Sequence, residues 1–236
     1  MAGLYIVIPA YNEEKNIESV LDGWYKVLLS HNEKNTARLV LVDDGSTDNT
    51  RNIVKNFAVT HPYVELLSKE NGGHGAAVYA GYVHAINNNA EYIFQTDSDG
   101  QTLPEEFEAF WEKRNDFSVL IGERKNRQDG VLRILAAKVL RGVLRLCFGV
   151  KVKDVNTPYR LMNGLVLKEE MAYVPESFYL TNALLSALFA VHHRRICFMP
   201  ITFRKRQGGK NSVNPIKLCK IGVRTLKDFY KIGHSI

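Results

Sequence analysis

The sequence predicts an α/β protein built on a mostly parallel central sheet, and three observations carry that prediction. Over residues 1–122, short runs rich in β-branched and aromatic side chains alternate with amphipathic stretches, the order of a βαβα chain. The strand candidates are continuously apolar, as in Tyr5-Ile6-Val7-Ile8 and Leu39-Val40-Leu41-Val42, which fits a parallel sheet covered on both faces. Polar residues with chemical potential collect just past the carboxyl ends of these strands, where ligands gather in open parallel sheets.

Taken in order, strands are expected at Leu4–Pro9, Arg38–Val42, Val64–Ser68, Tyr92–Thr96 and Ser118–Gly122. Helices are expected between them near Glu13–Leu29, Thr47–Thr60, Gly73–Asn87 and Pro104–Lys113, where the apolar period lengthens from that of a strand to that of a helix. After Gly122 the pattern changes to a charged loop, Glu123–Asp129, and a basic amphipathic helix, Val131–Phe148. Short strands at Val150–Val152 and Tyr159–Met162, a helix at Phe178–His192, a strand at Ile196–Phe203 and a last helix near Pro215–Lys231 complete the expectation. No internal repeat or long linker interrupts it. A single domain over 1–236 is expected, with a nucleotide-type half (1–122) and an acceptor-type half (123–236).

Length and composition agree with a folded domain. The chain has 236 residues, 45% apolar and 24% charged, near the averages of soluble globular proteins and far from collagen-like or disordered classes. The longest run free of Asp, Glu, Lys, Arg and His, Ser177–Val191, carries Thr181, Asn182 and Ser186 and is shorter than the roughly 20 residues a spanning helix needs. The amino terminus shows neither a basic n-region nor a sustained apolar stretch before Pro9, so no signal peptide is read and a cytoplasmic site of action is expected. Cys147, Cys197 and Cys219 are odd in number and widely spaced, which suggests buried small hydrophobes in place of a disulfide framework or zinc site.

Charge is unevenly distributed. Residues 201–236 carry nine Lys and Arg against Asp228, a net +8, whereas the whole chain sums to +6. A basic tail on a near-neutral body points to a local anionic partner: membrane lipid, phosphorylated substrate or nucleic acid.

Three loops carry the chemistry. The first strand ends in Pro9-Ala10-Tyr11-Asn12-Glu13-Glu14 and the second in Asp43-Asp44-Gly45-Ser46-Thr47-Asp48. Such strand-to-helix loops can set backbone N–H groups, an aromatic face and carboxylates around a nucleotide, although Ser46, Thr47 and Asp48 also read as turn and N-cap residues. The fourth strand ends in Gln95-Thr96-Asp97-Ser98-Asp99-Gly100-Gln101. Two carboxylates that close repel one another, and an interposed divalent cation removes the repulsion while leaving coordination positions for phosphate oxygens. An EF-hand is excluded because position six is Thr102 instead of Gly and a strand precedes the loop. Asn71-Gly72-Gly73-His74-Gly75 opens a helix with room for close backbone approach but lacks the G-K-[ST] of a P-loop. His74 is placed there either to contact a phosphate or to cap its helix.

Together VIPAYNEEKNI, VLVDDGSTDNT, NGGHGAAVYAG, QTDSDGQ, GERKNRQDGVLR, DVNTPYRLM and MPITFRKRQGGKNS resemble glycosyltransferase family 2, the inverting enzymes of GT-A fold. The later motifs look most like the polyprenyl-phosphate sugar synthases of the dolichyl-phosphate mannose synthase type. The resemblance implies a Rossmann-like GT-A fold in which Pro9, Tyr11 and Glu13 line the nucleotide pocket, Asp43 and Asp44 hold base or ribose, and Gly73, His74 and Ser98 lie against the donor. It implies that Asp97 and Asp99 bind the donor diphosphate through Mg2+ or Mn2+, with Gln101 as a further metal ligand. Arg124, Arg127 and Arg206 are the implied cations for donor or acceptor phosphates, and Asp154 and Arg160 match the acceptor half.

The chain departs from the family at His74, where relatives often have Lys, at Thr157-Pro158, and in a loop one residue longer before Ser212. The family's Glu-Asp base motif is also absent, its place reading Val174-Pro175-Glu176-Ser177-Phe178. A sugar hydroxyl needs a general base, whereas a phosphate monoester is largely dianionic at neutral pH and attacks unaided. The expected reaction is therefore metal-assisted, inverting transfer from a nucleotide-diphospho-sugar to a polyprenyl phosphate at the inner membrane face. The alternatives are a soluble family 2 enzyme acting on a sugar hydroxyl of a glycan acceptor, with Glu176 or Asp154 as base, and a nucleic-acid-binding protein. Nucleic acid fits poorly, because the basic stripe lacks interleaved stacking aromatics. In Val131–Phe148 and the last helix, cations interleave with apolar residues, as in helices that lie on an anionic membrane surface.

Overall fold

A computed structural model of the protein describes residues 2–124, 131–204 and 226–234. Strand β1 (Ala2–Ala10) is followed by α1 (Ile17–Ser30), β2 (Arg38–Asp43), α2 (Thr50–Thr60), β3 (Val64–Ser68), α3 (His74–Asn87) and β4 (Ala90–Gln95). A 3-10 turn at Pro104–Glu106 runs into α4 (Phe107–Glu112), and then come β5 (Val119–Arg124), α5 (Val131–Phe148), β6 (Arg160–Asn163), α6 (Gly164–Met171), α7 (Thr181–Val191) and β7 (Ile196–Ile201). A further helix, α8, spans 226–233.

The seven strands form one sheet in the order β3-β2-β1-β4-β6-β5-β7. β1 is parallel to both β2 and β4, and β2 to β3, with Ala10 opposite Asp43 and Asp43 opposite Ser68. The chain leaves β1 toward β2 on one side and returns as β4 on the other, so a switch-point crevice opens at their carboxyl ends. β6 then inserts antiparallel between β4 and β5, while β7 runs parallel to β5 on the outer edge.

Both faces are covered, which is why the central strands are apolar without alternation. Leu4, Ile6 and Ile8 of β1 pack with Leu21, Trp24 and Phe107 from α1 and α4. Tyr5 and Val7 pack with Val78, Tyr82 and Leu188 from α3 and α7 on the opposite side. Trp24, Phe94, Phe107 and Tyr159 pack tilted and edge-to-face in an aromatic cluster, with the Phe94 and Tyr159 rings 4.7 Å apart, beneath the loop that follows β4.

Several sequence expectations need correction. Helices α1 and α2 begin at Ile17 and Thr50, later than expected, because the residues before them are consumed in loop hydrogen bonds. No strand forms at Val150–Val152. Its alternation is real, with Val152 and Asp154 buried and Lys151 and Lys153 exposed, but among the described residues the segment pairs with no strand. Helix α6 was not anticipated. Its signal was Asn163, whose side chain accepts from the Leu165 and Val166 amides as an N-cap. Cys147 and Cys197 are half-buried and not deeply enclosed. Part of the expected last helix, the loop 125–129, Cys219, Arg127 and Arg206 lie outside the described residues.

Helix α5 packs on the body through Leu140, Val143 and Leu144, three of the apolar residues that interleave with its cations and were expected to face a membrane. Its outer face instead presents Val139, 57% exposed, and Leu146, 86% exposed. Phe229 of α8 is buried against Phe148 and Phe178, while Leu226 and Tyr230 remain exposed at 41% and 59%. Among the described residues no helix is long and apolar enough to cross a membrane.

Candidate active site

A cleft of about 450 Å³ opens at the β1/β4 switch point, walled by Pro9, Tyr11, Asn12 and Glu13 on one side and by Asp97, Ser98 and Asp99 on the other. Asp44, His74, Ala77 and Tyr179 close its back and rim.

The first two loops hold one another. The Asn12 amide donates to Ser46 Oγ at 3.0 Å, the Thr47 amide to Asn12 Oδ1 at 2.8 Å, the Glu13 amide to Thr50 Oγ1 at 2.8 Å and the Glu14 amide to Asp48 Oδ2 at 3.1 Å. Asn12 reaches this geometry at φ 56°, a region Asn tolerates better than most residues. Burial tends to raise the Asp48 carboxyl, but hydrogen bonds from Thr50 and the Glu14 amide hold it below the ordinary range. Ser46, Thr47 and Asp48 are thus spent on loop structure.

The buried acidic pair of β2 is also engaged. Asp43 Oδ1 accepts from the Ser46 amide at 3.0 Å, away from the cleft lining. Asp44 accepts from Lys69 Nζ and the Gly72 amide on Oδ1 and from the Gly73 amide on Oδ2, all within 2.9 Å. It thereby fixes the turn into α3, where Gly73 sits at φ 88°, left-handed backbone that favours glycine. The turn points His74, the first residue of α3, into the cleft with Nε2 3.8 Å from Asp97 Oδ1. Gly73 is the N-cap, so His74 faces the acidic pair and does not cap its helix. Desolvation by the cleft walls lowers its proton affinity, against the pull of Asp99 and Asp44.

Asp97 accepts from Gln95 Nε2 at 3.1 Å, and Gln95 is fixed in turn by Asn182 Nδ2 at 2.8 Å. Asp99 Oδ1 accepts from the Gln101 amide at 3.1 Å. Burial, then the charge of Asp99, push the Asp97 carboxyl well above the usual carboxylate range, Arg124 and Arg160 opposing and Glu13 adding to the shift. The site is short of positive charge where two hard oxygen donors converge, the condition a divalent cation relieves. Among the described residues no group of three or more His, Cys, Asp and Glu is placed to hold a metal; two carboxylates suit an ion that takes its remaining ligands from water or substrate oxygens.

The expected phosphate-binding and acceptor residues lie behind and beside this cleft. Arg124 Nε and Nη2 donate to both oxygens of Asp154, at 3.0 and 2.9 Å, with the guanidinium over the Phe203 ring. Arg160 is fully buried and donates to the carbonyls of Thr157 and Asn182 and to Ser186 Oγ, bracing α7 and the segment before β6 against the sheet. Gln101 Nε2 donates to the Arg204 carbonyl at 2.6 Å, and the Arg204 amide returns a bond to the Gln101 carbonyl at 2.8 Å. This ties the D-x-D loop to the strand exit that leads toward Arg206. Glu176 is exposed at the surface and does not line the cleft.

Among the lining residues not assigned a role from sequence, Ala10, Asn12 and Ala77 fall inside the quoted motifs and Tyr179 falls outside all of them. Tyr179 reaches the cleft from the segment before α7 because Gly75 lets α3 approach so closely that a Cβ there would strike the carbonyl oxygens of Phe178 and Tyr179. Thr181 Oγ1 locks the contact by donating to the Gly75 carbonyl at 3.0 Å. The only local signal is an aromatic beside a helix start, a feature that core aromatics such as Phe178 share.

Comparison with known proteins follows this geometry. A dolichyl-phosphate beta-glucosyltransferase of Trichomonas vaginalis is 43% identical over 111 residues, covering 45% of this chain and 32% of the relative. An undecaprenyl-phosphate 4-deoxy-4-formamido-L-arabinose transferase of Pseudomonas fluorescens is 28% identical over 222 residues, covering 92% of this chain and 62% of the relative. The chain thus spans a third to under two-thirds of these curated relatives. Among solved structures, glucosyl-3-phosphoglycerate synthase from Mycobacterium tuberculosis, in complex with Mn2+, UDP-glucose and phosphoglyceric acid, superimposes with a TM-score of 0.67 at 18% identity, over 99% of this chain and 80% of that one. That likeness establishes the GT-A fold. The Glycosyl transferase family 2 model matches residues 5–167, and the chain belongs to that family.

Proposed function

We propose that this chain carries an inverting glycosyltransferase that moves a sugar from a nucleotide-diphospho-sugar to a polyprenyl phosphate at the inner membrane face, within a single domain over 1–236. The observation that carries the reading is an acidic pair at the switch-point crevice whose two candidate general bases are elsewhere. Asp154 is held by Arg124 and Glu176 is at the surface. A dianionic phosphate needs no base, and the two curated relatives bear the names of dolichyl- and undecaprenyl-phosphate sugar transferases.

In this reading Pro9, Tyr11 and Glu13 flank the nucleoside. Asp43 and Asp44 act through the loops they hold. Gly73, His74 and Ser98 border the diphosphate, and His74 offers it a hydrogen bond. Asp97 and Asp99 would hold Mg2+ or Mn2+, with Gln101 positioning their loop. Such an ion, when bound, neutralises charge gathering on the departing diphosphate. An acceptor phosphate oxygen forms a bond to the anomeric carbon as the carbon–oxygen bond to the donor diphosphate breaks, inverting that centre. Arg124, kept in orientation by Asp154, and Arg127 and Arg206 beyond the described residues supply positive charge to the acceptor side, and Arg160 braces it.

The test is incubation of the purified protein with labelled UDP-, GDP- and dTDP-sugars, with and without undecaprenyl phosphate, followed by organic extraction. Label in the organic phase only when undecaprenyl phosphate is present is expected. Label on a water-soluble glycan, or none with any donor, refutes the lipid-phosphate acceptor.

A further inference from the structure

We propose that the groove between the outer face of α5 and residues 150–153 seats the phosphate headgroups of an anionic bilayer and so sets which face of the protein meets the membrane. This rests on the reading that the acceptor is membrane-borne, but it concerns a different place on the molecule from the cleft. The groove holds about 320 Å³ and brings Arg141, Arg145, Lys151 and Lys153 around an apolar floor of Val150 and Val152. Arg141 is oriented by a bond from Nη1 to the Lys153 carbonyl at 3.2 Å. Among the described residues no carboxylate forms an ion pair with any of the four.

Charge alone does not separate a bilayer from a free phosphate. The surroundings do, because Leu146 and Val139 stand exposed on the same helix. Tyr230 and Leu226 stand exposed on α8, which packs where Gly233 meets the Cys147 carbonyl at the end of α5. Four cations in the groove, with four unburied apolar side chains elsewhere on the outer faces of α5 and α8, match a headgroup layer over acyl chains. The α5 stripe of Leu140, Val143 and Leu144 is already used in the core, so the outer face with Val139 and Leu146 is the one left for the membrane. Lys153 immediately precedes Asp154, the partner of Arg124, and thus the seat adjoins the acceptor side.

The experiment is flotation of the 236-residue chain with phosphatidylcholine vesicles, with and without phosphatidylglycerol. The wild type is compared with Lys151→Ala/Lys153→Ala, with Leu146→Ser, and with Lys26→Ala on α1 across the sheet as control. Binding is expected only with phosphatidylglycerol, weakened roughly 25-fold in the double variant, about fivefold per cation, weakened in Leu146→Ser, unchanged in the control and insensitive to inorganic phosphate. All four substituted side chains are exposed, so folding is preserved. Equal binding by the double variant, no vesicle binding by the wild type, self-association in place of vesicle binding, or full competition by inorganic phosphate each overturns the proposal. A water-soluble short-chain prenyl phosphate separates the two readings. Turnover retained in the double variant supports a bilayer seat, and turnover lost only there makes the groove an acceptor site and overturns it. No turnover in any variant, with groove-dependent flotation intact, refutes the acceptor while leaving the seat.

Discussion

Replacing Gly75 by Ala tests whether the close approach of α3 to the Phe178–Tyr179 segment builds the cleft. A methyl at Gly75 would meet backbone carbonyl oxygens of Phe178 and Tyr179, with the Tyr179 carbonyl carbon at 2.6 Å, and backbone cannot swing aside as a side chain can. Overpacking of this kind costs typically 1–3 kcal/mol, and the upper end applies because Thr181 also clamps the Gly75 carbonyl. Alanine returns up to about 1 kcal/mol of helix propensity, leaving a net loss of about 2 kcal/mol. For a domain of this size that lowers Tm by about 4–8 °C. Gly142, in the exposed middle of α5, is the matched control: a Cβ there meets nothing within 4 Å. The same substitution should therefore raise Tm by about 2–4 °C. The assay is thermal unfolding of both variants, with donor KM measured alongside. Gly75→Ala should also raise donor KM, since Tyr179 is displaced from the cleft wall. A Gly75→Ala protein as stable as Gly142→Ala, with unchanged KM, would falsify the packing argument.

Further expectations concern the charged groups. Asp97→Asn or Asp99→Asn should abolish transfer while leaving circular dichroism unchanged, and near wild-type rates in chelator would make the pair structural. Because burial raises the Asp97 carboxyl, the fold favours its protonated form; that contribution is present in acid and lost as pH rises from the ordinary carboxylate range through the folded value. In chelator, Asp97→Asn should thus melt above wild type at pH 7, with the gap closing at low pH; a gap that widens in acid contradicts the assignment. Asp154→Asn should lose about 3 kcal/mol, since it leaves the largely buried Arg124 without its bidentate partner, as measured by denaturant unfolding. Glu176→Gln should leave the pH–rate profile of transfer unaltered, and loss of its alkaline plateau would mark a general base and a sugar-hydroxyl acceptor.

What the sequence determined by itself was everything set by local periodicity and loop chemistry. Continuous apolar strands required a two-sided parallel sheet, and β1 to β4 with their helices follow. The acidic pair Asp97-Asp99 was legible because two carboxylates after a buried strand have few inexpensive structural roles. Tertiary structure alone decided matters that depend on residues far apart in the chain. The antiparallel insertion of β6 between β4 and β5 was not readable, because a four-residue strand carries no sign of its neighbours. Val150–Val152 shows the converse, since burial against a helix yields the same alternation as a ladder does. Arg160, which the resemblance matched to the acceptor half, sits as a buried brace, because only the fold brings the Asn182 carbonyl and Ser186 to its guanidinium. The two apolar stripes of α5 differ little in sequence. Which one entered the core was settled by packing against the body, and that choice left Leu146 and the groove cations facing outward.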